Sequence, residues 1–161
     1  MNIFELTTVF IVSAFSVAYL FYQARMDAAT GYVDAQLNFW IVLLSSAMAL
    51  ATGLFKGIPY SAPMDALMIS AGLLLAVRET KRGPIMQVGD AKAIWSLYLL
   101  GCCSFGFSSS LYIVCATVVI ANLSYIAWAK KKKLKGRGPY FPFLFIGHSI
   151  TSTVALALTL F

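Results

Sequence analysis

Carboxylates are the groups in this chain best suited to chemistry, because they are few and their surroundings are apolar. Of 161 residues, 60% are hydrophobic and only six are acidic, against twelve basic ones. An acidic side chain at or within a membrane is costly to keep there and is therefore a candidate functional group. The six acids are Glu5, Asp27, Asp34, Asp65, Glu79 and Asp90.

Asp27 and Asp90 occupy matching positions along the chain. Asp27 follows the first apolar stretch within about a turn, and Asp90 begins a later stretch directly after Gly89. Two carboxyls that approach closely cannot both ionise readily, so they share one proton. The ionised partner can then deprotonate a water while the protonated one polarises a carbonyl, as in aspartic proteases. Position alone does not establish that this pair is catalytic, because acids are common at membrane interfaces.

Three other acids have structural explanations. Asp65 lies two residues after Pro63, in the expected first turn of a helix, where a carboxylate complements the helix dipole. Glu79 is expected in a solvated loop among basic residues, and Glu5 on the outer side of the membrane.

Six apolar stretches must position these residues. They are residues 3–22, 37–55, 63–77, 93–108, 111–129 and 141–161. A helix crosses a bilayer in about 20 residues, so a chain of this length allows six crossings and leaves no material for a soluble domain. We therefore predict an all-α membrane protein with about six transmembrane helices, forming a single membrane-embedded domain over residues 1–161.

The basic residues predict how the chain is oriented. All of them except Lys56 fall on one side of the membrane in this arrangement. Lys and Arg accumulate on the cytoplasmic side, so Asp27 and Asp90 should face the cytoplasm and both termini should lie on the non-cytoplasmic side. The run from Lys130 to Lys133 predicts contact with lipid headgroups. Basic residues that interrupt apolar stretches do not form one basic face, so nucleic-acid binding is not expected.

The cysteines do not predict a metal site or a disulfide framework. Cys102, Cys103 and Cys115 all lie in apolar stretches, and two of them are adjacent. Neither the adjacent pair nor the single Cys115 has the paired spacing of zinc ligands. We interpret them as small core residues and expect no metal.

Three separated segments carry a resemblance to a known family. Residues 27–33 have an aspartate followed by Thr at the third place and Val at the sixth; residues 89–92 read Gly-Asp-Ala-Lys; and residues 139–147 begin with two prolines around two aromatics. In order and spacing the chain resembles the type IV prepilin peptidases, membrane aspartic proteases with a Gly-x-Gly-Asp motif. The resemblance covers nearly the whole chain.

The resemblance implies a site and a substrate. Asp27 and Asp90 would form the catalytic dyad, supported by Thr30, Gly89 and Lys92. The substrate would be a pilin-like precursor, cut at the cytoplasmic face of the bacterial inner membrane between its short basic leader and its hydrophobic helix. Glycine beside Asp90 would let the substrate backbone approach. Lys92 also suits a headgroup anchor. The oligomeric state is not predicted.

The chain departs from the family pattern at two positions. Gln87 replaces the first glycine of the motif. Its side chain would leave less room for the substrate backbone or would offer the substrate an amide contact, and either effect bears on substrate preference. Asp34 replaces the proline expected seven residues after the first aspartate, and it offers a competing carboxylate. We prefer Asp27, because its spacing to the following Thr and Val matches the family.

Larger members of the family also N-methylate the new terminus and carry a cytoplasmic loop with paired CxxC motifs. This chain has no such motif. It resembles the short, peptidase-only form found with Tad-type pilus systems, so we expect neither zinc nor S-adenosylmethionine and no methyltransferase activity.

Three alternatives remain open. Ser108 and His148 are loosely similar to the nucleophile and base of rhomboid serine proteases. Asp27, Asp90 and His148 could instead line the path of a small proton- or cation-coupled transporter or channel. The chain could also be an inactive family member that acts in pilus assembly. Outside these alternatives, His148 is expected to be a polar residue bonded within the helix bundle.

Overall fold

The computed structural model describes residues 3–56, 88–133 and 138–160, and these ranges contain five α-helices and no strand. In chain order they are α1 (Ile3–Thr30), α2 (Ala35–Lys56), α3 (Val88–Phe105), α4 (Phe107–Lys132) and α5 (Phe141–Leu160). The prediction of an all-helical chain is therefore confirmed for the described residues. The predicted span at residues 63–77 lies outside them, as do Asp65, Glu79 and Gln87.

Three helices are long and apolar enough to cross a membrane. Their candidate spans are Leu6–Thr30 in α1, Ser108–Lys132 in α4 and Phe141–Thr159 in α5. In α2 a shorter apolar stretch covers Ala35–Ala49. The described part of the chain thus supports a membrane protein with three such helices, which is fewer than the six crossings predicted.

The first and last helices pair in opposite directions. Three contacts between them occur in reversed order along the two helices: Asp27 with Phe141, Phe21 with Phe145, and Ser16 with His148. The start of α1 and the end of α5 therefore lie at the same end of the bundle, away from Asp27.

Helix α3 lies at the centre of the described helices. It packs against α1, α2 and α4, while α5 packs against α1 and α4. Its buried side chains include Ile94, Leu97, Tyr98 and Leu100, each at most 2% exposed. Contacts with neighbouring helices therefore cover much of its surface, and this helix carries Asp90 in its first turn.

Helix α1 continues well past the end of its apolar stretch. The sequence predicted an apolar span to Tyr22, but the helix runs to Thr30. No glycine or proline interrupts the intervening residues, and most of them are good helix formers. The helix ends at Gly31, which has φ of +72° and donates its N–H to the carbonyl of Asp27 over 2.8 Å.

Candidate functional site

Asp27 lies in the last turn of α1 and binds the start of α5. The backbone N–H of Phe141 donates to Oδ2 of Asp27 over 2.9 Å, and the N–H of Tyr140 also faces this carboxylate. The first N–H groups of a helix have no partner within the helix, so a carboxylate placed there is favourable. Asp27, only 7% exposed, therefore caps a helix that is distant in sequence.

Asp90 lies in the first turn of α3 and is 4% exposed. It lies near enough to the hydroxyl groups of Tyr19 and Tyr140 for its charge, when it is ionised, to act on both. Burial, and after it the charge of Asp90, raises the pKa of the Tyr140 phenol above its ordinary value. The phenol therefore keeps its proton, and it donates to Oδ1 of Asn122 over 2.8 Å.

Tyr140 connects the surroundings of the two acids. Its backbone N–H faces Asp27, and its side chain lies in the electric field of Asp90. The two buried acids predicted from the sequence thus lie around one residue at the same end of the bundle. This placement is compatible with the predicted pair, which also requires the two carboxyls to approach each other closely.

Gly89 brings the two aspartate segments into contact. A Cβ atom added to Gly89 would lie 2.8 Å from Cγ2 of Val33 and 3.6 Å from Nδ2 of Asn38. The first of these distances is too short for real carbon atoms, so any side chain here would displace Val33. The sequence interpretation was that glycine leaves room for substrate. On the side where a Cβ would project, Val33 lies against Gly89, and the approach of a substrate backbone stays a prediction.

A buried network of polar side chains supports this end of α1, and sequence reasoning missed it. Gln23 accepts a hydrogen bond from the N–H of Asp34 (2.9 Å) and donates to the carbonyl of Asp34 (3.2 Å). Gln23 also donates to Oδ1 of Asn38 over 2.9 Å, and the hydroxyl of Tyr19 donates to the same oxygen. Tyr19, Gln23 and Asp27 are spaced four residues apart and so share one helix face, which is the signal that could have identified the network.

The other residues singled out by the family pattern have local roles. Thr30 is exposed; its hydroxyl donates to the carbonyl of Met26 over 2.8 Å and accepts from the N–H of Tyr32. Asp34 caps α2, because its Oδ1 accepts from the N–H of Leu37 over 2.9 Å. Lys92 is exposed. None of these contacts joins Thr30 or Asp34 to Asp27 through a side chain.

His148 belongs to a different site. It is 5% exposed, and its Nε2 lies 2.9 Å from Oγ of Ser16 and 3.1 Å from Oγ of Ser152. Ser108, the serine considered as a nucleophile, is exposed at the start of α4. The histidine is thus bonded within the bundle, and the contacts of its ring are to serines of α1 and α5.

In the described part of the chain, no group of three His, Cys, Asp or Glu side chains is placed to hold a metal ion. Comparisons with protein-family models, with curated proteins and with solved structures gave no match to this chain.

Proposed function

We propose that this chain is a membrane aspartic endopeptidase of the type IV prepilin peptidase kind, with Asp27 and Asp90 as its dyad. The observation that carries the proposal is that both acids are buried and lie around Tyr140 at one end of the bundle. The resemblance of residues 27–33 and 89–92 to the family supports it, since Val33 and Gly89 from these two segments are in contact.

The proposed reaction is hydrolysis of a peptide bond by a water that the dyad activates. The ionised aspartate takes a proton from the water, whose oxygen attacks the carbonyl carbon, while the protonated aspartate donates to the carbonyl oxygen. The tetrahedral intermediate then breaks its C–N bond: the departing amine receives a proton from one aspartate, while a hydroxyl of the intermediate returns a proton to the other, which restores the dyad. The products are a carboxylic acid and an amine, and the reaction requires neither a metal nor a cofactor.

The proposed topology has six spans, with the dyad at the cytoplasmic face of a bacterial inner membrane and both termini on the other side. Lys130, Lys131 and Lys132 lie in the last turn of α4. Ring contacts of Tyr125 with Tyr140 and of Trp128 with Phe143 place this turn near the start of α5. Lysines and dyad therefore lie at the same end of the bundle, which supports the cytoplasmic assignment.

The proposed substrate is a pilin-like precursor, whose short basic leader is removed. Lysines 130 to 132 are exposed and follow Trp128 on α4, a combination typical of a helix end in contact with lipid headgroups. The membrane surface is therefore a second proposed partner.

The decisive experiment is to co-express the chain with a candidate pilin precursor and to follow leader removal by gel shift. Asp27→Asn and Asp90→Asn should each abolish cleavage at normal membrane levels of the enzyme. Asp34→Asn is the matched control, because Asn also caps helices well and this acid is not assigned to the dyad; it should retain cleavage. Cleavage by either single dyad variant would exclude the proposed mechanism.

A further inference from the structure

A small cavity lies between α1, α3, α4 and α5 beside His148. Its volume is about 10 Å³, close to the smallest volume that accommodates one water molecule. Its polar lining residues are Ser13, Ser16, Ser104, Ser110, His148 and Ser152. Lipid offers no hydrogen bonds, so in a membrane bundle these hydroxyl groups need partners from the protein or from bound water.

The hydrogen bonds around His148 are shorter at Nε2 than at Nδ1. Oγ of Ser16 lies 2.9 Å from the carbonyl of Ser13 and 2.9 Å from Nε2 of His148, and it has a single hydrogen to donate. If Ser16 donates to Ser13, then Ser16 can only accept from Nε2–H of the histidine. In that tautomer Nδ1 carries a lone pair that requires a donor.

The other tautomer leaves the same nitrogen without a good partner. A bare Nε2 can accept from Ser152 at 3.1 Å or from Ser16, and Nδ1 then carries a hydrogen that requires an acceptor. The contact of Nδ1 with Oγ of Ser152 is 3.5 Å long, at the limit of a hydrogen bond. A buried polar group without a good partner destabilises the fold.

We infer that the cavity binds one water molecule, which is held by Nδ1 of His148 and by serine hydroxyls of the neighbouring helices. Water can donate or accept, so it satisfies Nδ1 in either tautomer. Ser104 and Ser110 bring hydroxyls from α3 and α4 to the same cavity. The bound water thereby joins α5 to α3 and α4.

This water site is distinct from the proposed dyad and independent of the proposed function. Ser16 precedes Asp27 by eleven residues on α1, about 16 Å along the helix axis. Leu20 and Leu144 are fully buried and occur between the two sites on α1 and α5 respectively. The water at His148 is therefore a structural ligand and not the water consumed in hydrolysis.

The chain has one histidine, so NMR of the ring needs no assignment. The full chain, carrying an affinity tag without histidine and labelled with ¹⁵N-histidine, would be studied in nanodiscs. We expect a neutral ring and magnetisation transfer between water and the ring, which persists when a soluble paramagnetic ion is added. Absence of transfer from the unmodified protein would overturn the inference. Transfer that the ion quenches would also overturn it, because the ring would then face bulk water.

Two variants test the location of the water. Ser104→Val fills the cavity and should abolish the transfer. Thr153→Val is the matched control on α5: Thr153 is exposed, its hydroxyl bonds the carbonyl of Ser149, and the transfer should persist. Transfer that is unchanged in a folded Ser104→Val protein would place the water elsewhere and overturn the site.

Discussion

The backbone N–H of Phe141 donates to Oδ2 of Asp27 over 2.9 Å, across 114 positions of sequence. The acid proposed for catalysis therefore also caps the last described helix. A substitution at Asp27 changes both the proposed chemistry and the packing of α5 on α1. The choice of replacement decides which of the two roles is measured.

Asp27→Asn should separate the two roles. The amide oxygen of Asn can still accept from Phe141, so we expect a thermal midpoint in detergent close to that of the unmodified protein, with cleavage lost. Asp27→Ala removes the acceptor and should destabilise the fold by about 1 kcal/mol, the usual effect of losing a helix cap. Equal midpoints for the Ala and Asn variants would contradict a capping role.

Gly89→Ala should lower stability, because its Cβ would lie 2.8 Å from Cγ2 of Val33. Overpacking of this kind costs about 1–3 kcal/mol. The double variant Val33→Ala with Gly89→Ala removes the opposing methyl groups and should recover most of the loss, as measured by thermal unfolding. Cleavage should recover with stability. If stability returns and cleavage does not, glycine serves substrate approach rather than packing.

Gln23→Leu should destabilise the protein, because Gln23 belongs to the buried polar network one helical turn before Asp27. The substitution leaves the N–H of Asp34 and Oδ1 of Asn38 each without the partner that Gln23 provides. A loss of about 1–3 kcal/mol is expected. A double-mutant cycle with Asn38→Leu should give a coupling energy between about 0.5 and 3 kcal/mol. Additive effects of the two substitutions would show that the residues act independently.

Tyr140→Phe should change how stability depends on alkaline pH. The pKa of Tyr140 is raised on folding. The contribution of this shift to the free energy of unfolding is therefore fully present below the ordinary tyrosine pKa of about 10, and it is lost as pH rises towards the pKa of the folded protein. The unmodified protein should therefore lose more stability than Tyr140→Phe above about pH 10, measured by denaturant unfolding at neutral and alkaline pH. Near neutral pH the variant should be less stable, since the hydrogen bond to Asn122 is missing. Parallel pH profiles would contradict the raised pKa.

The apolar stretches of the sequence located the described helices because a helix exposed to lipid must be apolar over its length. They did not locate the end of α1, which depends on the turn at Gly31 and not on where hydrophobicity stops. Asp90 was expected to begin its helix, and the structure places it in the first turn of α3.

The sequence could not predict which residues of different helices contact each other. The bond between Ser16 and His148 joins residues 132 positions apart, and nothing local specifies which serine meets the ring. The position of Val33 over Gly89 likewise follows from how α3 packs against the α1–α2 turn. The family pattern identified both residues without showing that they touch.

The pairing of the first helix with the last has a consequence for biosynthesis. Phe141 leaves the ribosome 114 residues after Asp27. The bond between them, which joins α1 to α5, can therefore form only after α5 has been made. Incomplete chains that end before α5 lack the partner of Asp27, so the surroundings of this acid are completed only when the last described helix has been made.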